Sequence, residues 1–183
     1  MKEQFAEIKL KEVVQDARAG NSYKMIFEDI DGSFLLPVMI SAYDAQPLMA
    51  MLDGESTRRP RTHEFFCNFI TVSGYKLSGI YIVDFKQGVF HTTAIFTDGE
   101  RTVELDCRPS DAACIALQCG APVFVDNAVA EKVAMMVSAG KADSVESRLK
   151  ALHKRLDRLV SEERYEDAAR IRDKIEHLSK DNL

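Results

Sequence analysis

The chain has 183 residues, enough for one compact domain and a short appendage. Hydrophobic residues make up 46% of it, which excludes a disordered chain. A formal net charge of −5 and a pI near 5.4 exclude a protein that grips nucleic acid through a broad basic surface, so any such contact is expected to be local or metal-assisted.

Ile8, Leu10 and Val13 predict a first strand over Phe5 to Val14. Tyr23 to Ile30 and Ser33 to Ile40 read as two further strands joined through Asp31-Gly32, the residue pair of a tight hairpin. Ser41 can then cap a short helix reaching Leu52, which Asp53-Gly54 ends. A second helix follows Thr62; Phe65, Phe66, Phe69 and Ile70 are expected to put four bulky groups on one side of it, and Gly74 stops it. Lys76 to Phe85, Val89 to Thr97 and Thr102 to Cys107 read as three antiparallel strands. A helix from Asp111 to Gln118, a strand from Pro122 to Val125 and a weak helical stretch from Ala128 to Val137 complete an α+β pattern of short helices on a mixed or antiparallel sheet.

Near Ser138-Ala139-Gly140-Lys141 the strand pattern gives way to charge-dense helix. The expected division is a domain over 1–137, a linker over 138–143 and an antiparallel two-helix hairpin over 144–183. Val145, Leu149, Leu152, Leu156, Leu159 and Val160 form one apolar seam; Ala168, Ile171, Ile175 and Leu178 form another after a break at Glu162 to Tyr165. A hairpin of this size buries little by itself, so its outer seam is expected to meet a protein partner.

Two segments stand out. Arg59-Pro60-Arg61-Thr62-His63-Glu64 and Cys107-Arg108-Pro109-Ser110-Asp111-Ala112 each put an Arg-Pro pair before a helix start bearing a hydroxyl and a carboxylate. Thr62 and Ser110 can cap those helices. Two such ends facing one cleft would suit a phosphodiester or another anion, because helix N-termini favour phosphate.

Met1-Lys2-Glu3-Gln4 has no basic lead into an apolar run and no stretch is long enough to cross a bilayer, so a cytoplasmic protein without membrane contact is expected. Cys67, Cys107, Cys114 and Cys119 contain no CxxC pair and read as reduced, mostly buried thiols.

Leu36-Pro37-Val38-Met39-Ile40, the Arg59 to Glu64 motif and Asp106-Cys107-Arg108-Pro109-Ser110-Asp111-Ala112 occur in that order, with Gly-Ala-Pro-Val before the last strand. Together they resemble the bifunctional nuclease domain family over roughly residues 5 to 135. Tyr165-Glu166-Asp167-Ala168-Ala169-Arg170-Ile171-Arg172-Asp173-Lys174-Ile175 resembles the UVR motif, the helical hairpin of excision-repair nuclease subunits and some chaperone adaptors; the combination is associated with bacteria. The resemblance implies a strongly curled sheet and hydrolysis of RNA and DNA with little base specificity. The chain departs from the family pattern at Glu64, where Asp is usual, at Arg61, where a small or apolar residue is usual, and at Ser41, where Gly is usual.

Phosphodiester hydrolysis needs an activated water, charge stabilisation on phosphoryl oxygens and protonation of the leaving oxygen. The expected catalytic set is His63, Glu64, Asp106 and Asp111. Glu64, Asp106 and Asp111 would hold Mg or Mn, and Arg59, Arg108, Thr62 and Ser110 would bind substrate phosphate. A structural reading stands beside each assignment: Glu64 and Asp111 as favourable charges in a first helical turn, Asp106 paired with Arg108, His63 beside the core, and Thr62 and Ser110 as caps. Tyr165, Glu166, Ala169 and Arg172 are the expected partner-binding residues of the hairpin. Two further readings stay open: a non-catalytic scaffold working through the hairpin, and an anion-binding domain without hydrolysis. Open sheet edges also predict a homo-oligomer.

Overall fold

The computed structural model describes residues 4–16, 20–55 and 58–137, and in the tail 152, 153, 156, 165, 169, 171–173 and 175. Contacts divide the chain into Met1–Ala134 and Met135–Leu183. The first unit holds β1 (Phe5–Gln15), β2 (Ser22–Asp29), β3 (Leu35–Ser41), α1 (Ala42–Leu52), α2 (Thr62–Val72), β4 (Lys76–Lys86), β5 (Val89–Thr97), β6 (Thr102–Cys107), α3 (Pro109–Cys119) and β7 (Val123–Asp126). Residues 127–137 are helical.

Two antiparallel meanders, β1 to β3 and β4 to β6, become one seven-stranded sheet in the order β3-β2-β1-β7-β4-β5-β6. β7 joins them by pairing antiparallel to β1, with Ile8 opposite Val123, and parallel to β4, with Ile80 opposite Val123. The strong curl implied by the family resemblance is corrected here: the sheet stays open, because β7 adds the two meanders side by side and leaves β3 and β6 as its two ends. Pro37 sits in the end strand β3, where its missing N–H removes least from the ladder.

Period-two alternation explains which face is covered. Met25 and Phe27 on β2, Leu36 and Val38 on β3, Ile80 and Ile82 on β4, Ala94 and Phe96 on β5, and Val123 and Val125 on β7 are all buried in one core. On β4 and β7, Tyr81 and Phe124 point to the opposite face and stack with ring centroids 4.9 Å apart, with the Phe5 ring edge-on to Tyr81. In the helix layer α3 is central, packing beside both α1 and α2 and against β4 and β5. Ala112, Ala113 and Ala116 are buried along it, so small side chains permit this close approach.

The β2–β3 turn is longer than the expected two-residue hairpin. Asp29 accepts from the Ser33 hydroxyl at 2.7 Å and from the Phe34 N–H at 2.9 Å, so its carboxylate organises residues 30–33 as one loop, with Gly32 at φ +73°. α1 starts as expected: Ser41 accepts from the Asp44 N–H at 3.2 Å, and its hydroxyl donates to the Asp44 carboxylate at 2.7 Å. Ser41→Ala is expected to lower stability by about 1 kcal/mol in chemical denaturation, the usual effect of losing an N-cap.

α2 corrects another expectation. Cys67 and Ile70 are buried and Phe66 packs on the core, whereas Phe65 and Phe69 are 65% and 60% exposed. Consecutive helical residues point about 100° apart, so an adjacent pair of phenylalanines cannot share one inward direction. Phe69 instead lines a shallow apolar groove with Val103 and Leu105 of β6.

In the second unit, Ile171 is buried against Leu152, Leu156 and Ile175, members of both predicted seams. Tyr165, placed at the predicted break, is already helical and 65% exposed. Arg172 is exposed with its Nε 3.8 Å from Asp173, and Ala169 is half-buried. Glu166, Val145, Leu149, Leu159, Val160, Ala168, Leu178 and the predicted linker lie outside the described residues. Among the described residues no helix is long and apolar enough to cross a membrane.

Candidate active site

The starts of α2 and α3 converge. His63 Nε2 lies 3.2 Å from Asp111 Oδ1, joining side chains 48 positions apart. Arg108 donates to the same carboxylate twice, through Nε at 2.8 Å and Nη2 at 3.2 Å, and the same nitrogen lies 3.3 Å from Asp44 Oδ1 on α1. Three helices thus contribute to one chain of contacts, His63–Asp111–Arg108–Asp44. It borders an open cleft of about 740 Å³ that Tyr43, Gln46, Glu55, Arg61 and Thr62 also line.

Local sequence explains each placement. Pro109 occupies the first helical position of α3, where its fixed φ suits a helix and its missing N–H is no loss. That puts Arg108 at the N-cap and Asp111 in the first turn, facing back toward Arg108. Gly120, at φ +64°, closes α3 in the left-handed conformation. In α2 the N-cap is Arg61 and Thr62 is the first helical residue. The two expected caps are therefore corrected: neither Thr62 nor Ser110 caps its helix, and a guanidinium has only donors, so the two N-cap arginines cannot accept from first-turn N–H groups.

The expected residues separate. His63, Asp111, Arg108 and Thr62 share the cleft. Glu64 accepts the Arg61 backbone N–H at 2.8 Å, so its carboxylate folds back on its own helix start, the acidic half of a capping box. Asp106 is exposed on β6, opposite Thr93 in the ladder, and does not line the cleft; nor is it the partner of Arg108. Arg59 is on the exposed segment before α2, also away from the lining. Ser110 is buried and does not line the cleft. Among the described residues no three His, Cys, Asp or Glu side chains gather as a metal-ion site, and Glu64, Asp106 and Asp111 are not assembled as one. The three carboxylates of the expected metal set thus stand apart in this arrangement.

Arg61 and Asp44 are the functional candidates that sequence reasoning missed. Arg61 lines the cleft and lies 3.5 Å from Glu55, and Asp44 holds Arg108 from the α1 side. A Ser-x-x-Asp spacing at 41–44 signals a helix start and nothing more; no local pattern says that the same aspartate reaches Arg108.

Burial opposes the charge on Asp111, but the hydrogen bonds from Arg108 and then from His63 outweigh it and hold the carboxyl below its ordinary value. The same bond with Asp111 raises the Arg108 guanidinium. Ionised Asp111 only accepts, so His63 presents an Nε2–H to it. A depressed folded pKa stabilises above the unfolded value, near pH 4, and that stabilisation is lost as pH falls through the folded value. The Tm difference between wild type and Asp111→Asn is accordingly expected to shrink as pH falls below about 4. A difference that persists undiminished into acid would contradict this account of Asp111.

The bifunctional nuclease domain matches residues 25–138, a span that contains every residue of this contact chain. The chain belongs to the bifunctional nuclease domain family. The UvrB/UvrC motif matches residues 146–181. An uncharacterized Mycobacterium tuberculosis protein (strain H37Rv) is 29% identical over 117 residues, covering 64% of this chain and 70% of its own. Bifunctional nuclease 2 of Oryza sativa subsp. japonica is 28% identical over 171 residues, covering 79% of this chain and 53% of its own, and bifunctional nuclease 2 of Arabidopsis thaliana is 26% identical with 79% and 52% covered. This bifunctional nuclease domain chain thus spans about half the length of the plant proteins it matches.

Proposed function

We propose that the α1–α2–α3 cleft binds and hydrolyses phosphodiesters of RNA or DNA. The observation that carries the reading is the His63–Asp111–Arg108 chain, which bridges the two Arg-Pro helix starts at the wall of an open cleft. Asp111 orients the imidazole through Nε2, leaving Nδ1 to take a proton from an attacking water. Arg108 and Arg61 meet the phosphoryl oxygens, where charge develops as the bond breaks. Among the described residues of the lining the only aromatic rings are Tyr43 and His63, and eight of the twelve side chains are polar or charged, which supports hydrolysis with little base preference.

Asp53, Glu55 and Asp111 outnumber the two guanidiniums on the lining, so a polyanion enters against local negative charge. Cleavage should therefore depend on added cations. The test measures cleavage of labelled single-stranded RNA and duplex DNA in magnesium, in manganese and in EDTA, for wild type and His63→Ala. Loss of 10²-fold or more in the variant, in whichever condition the wild type works best, supports the reading. Equal rates for the two proteins would sink it, and binding without cleavage would leave an anion-binding domain.

The hairpin is proposed to dock a protein partner through the exposed ring of Tyr165 and the exposed Arg172, beside the half-buried Ala169; Glu166 belongs to the same proposed surface by its place in the motif. Self-association is proposed through the sheet ends β3 and β6, and the mass of the particle in dilute solution reads it directly.

A further inference from the structure

Cys67 and Cys119 lie 52 positions apart in sequence, yet their Sγ atoms are 3.2 Å apart. Cys67 is buried in the middle of α2, and Cys119, the last residue of α3, is exposed. The meeting is built by helix packing. His63 faces Asp111 at an offset of 48, and Cys67 Sγ reaches the Ile115 carbonyl at 4.0 Å at the same offset. Cys119 follows one turn after Ile115, so the two helices bring the thiols together by lying side by side in the same direction. The other thiols are placed differently: Cys107 Sγ donates to the Thr92 carbonyl at 3.6 Å, and Cys114 is inside the core.

We propose that Cys67 and Cys119 form a peroxide-oxidisable pair that closes into a disulfide between α2 and α3. A disulfide needs sulfurs about 2.05 Å apart, roughly 1 Å closer than they stand, a distance within the reach of side-chain rotation. The exposed Cys119 thiolate attacks one oxygen of hydrogen peroxide, breaking the O–O bond and giving a sulfenic acid and hydroxide, which takes a proton to become water. Cys67 then gives up its proton and attacks the Cys119 sulfur, expelling the sulfenic oxygen as a second water. Two thiols and one peroxide become one disulfide and two waters. Burial first, and then the contact with Cys119, push the Cys67 thiol up to about 12, so the exposed Cys119 and not Cys67 is the sulfur that meets peroxide first. The bond ties together the helices whose starts carry His63 and Asp111, and a dithiol reductant reverses it.

The experiment treats the full chain with a small excess of hydrogen peroxide, then alkylates, digests without reductant and reads the peptides by mass spectrometry. The expected product is a Cys67–Cys119 linked pair two hydrogens lighter than the separate peptides, with thiols titrated in denaturant falling from four to two. Tm should rise by about 5 °C or more, since the bridge closes a long loop, and dithiothreitol should undo every change. Cys119→Ser, at an exposed position, should fold normally and form no link, whereas Cys107→Ser should form it as the wild type does. A link through Cys107 or Cys114, a link between two chains, a sulfenic acid at Cys119 that never resolves, or four unchanged thiols would each overturn the proposal. None of these outcomes bears on whether the cleft hydrolyses phosphodiesters.

Discussion

Arg108→Ala is expected to reduce phosphodiester cleavage by about 10²- to 10³-fold, the range seen when one donor to a developing oxyanion is removed. Two losses combine in this variant. The cleft loses a cation facing the phosphate, and Asp111 loses both guanidinium bonds that help keep it ionised, which weakens its hold on His63 Nε2. Asp44, on the neighbouring helix, is left without the guanidinium that meets it at 3.3 Å. Arg108→Lys separates these contributions: it restores a positive charge but cannot reproduce the two-pronged contact with the carboxylate, so it should recover only part of the rate. Single-turnover cleavage of a labelled strand, with folding checked by circular dichroism, provides the measurement. Rates equal to wild type in both variants would remove Arg108 from the chemistry.

Leu48→Ala should have the largest effect on stability of any change near the cleft, about 2–5 kcal/mol. Leu48 is fully buried on α1, the helix that carries Asp44, and its truncation leaves a cavity under the wall of the site. Urea unfolding should show a lower midpoint at an unchanged slope, because the surface exposed on unfolding hardly alters. Met49→Ala, one residue along on the exposed side of the same helix, should move the midpoint little. If the two variants behaved alike, the assignment of the inward face of α1 would be wrong.

Much of the first unit could be read from the chain because its signals are local. The meander from Lys76 to Cys107 follows from β-rich runs and turn residues within about thirty positions, and Ser41 caps α1 by contacts three residues away. The insertion of β7 between β1 and β4 has no such local signal. Three apolar residues with a proline before them look the same whether they pair with the first strand, the fourth or both, and only long-range pairing decides.

Helix starts illustrate a different difficulty. Proline is both a stop for the preceding segment and a good first residue of a helix, and at Pro109 the second property prevails. Reading it only as a stop shifts the cap to Ser110 and misses that Arg108 is held at the helix threshold, aimed at Asp111. The two Arg-Pro motifs were legible as helix starts because each carries its proline and first-turn carboxylate within a few residues. The roles of Glu64 and Asp106 were not, since a carboxylate next to a motif looks the same whether it caps a backbone, faces solvent on an end strand or lines a cleft. The Cys67–Cys119 contact was equally hidden by the absence of a CxxC spacing.

The cleft bounded by His63, Asp111 and Arg108 is proposed to do the chemistry without the carboxylate of Asp106. Parallel measurement of RNA and DNA cleavage by wild type, His63→Ala and Asp106→Ala in the same divalent-cation buffer tests it most directly. A loss of about 10²- to 10⁴-fold is expected for His63→Ala and a rate within a few-fold of wild type for Asp106→Ala. An Asp106→Ala variant as inactive as His63→Ala, with both folded, would contradict it and return the site to the carboxylate set that the motifs suggested.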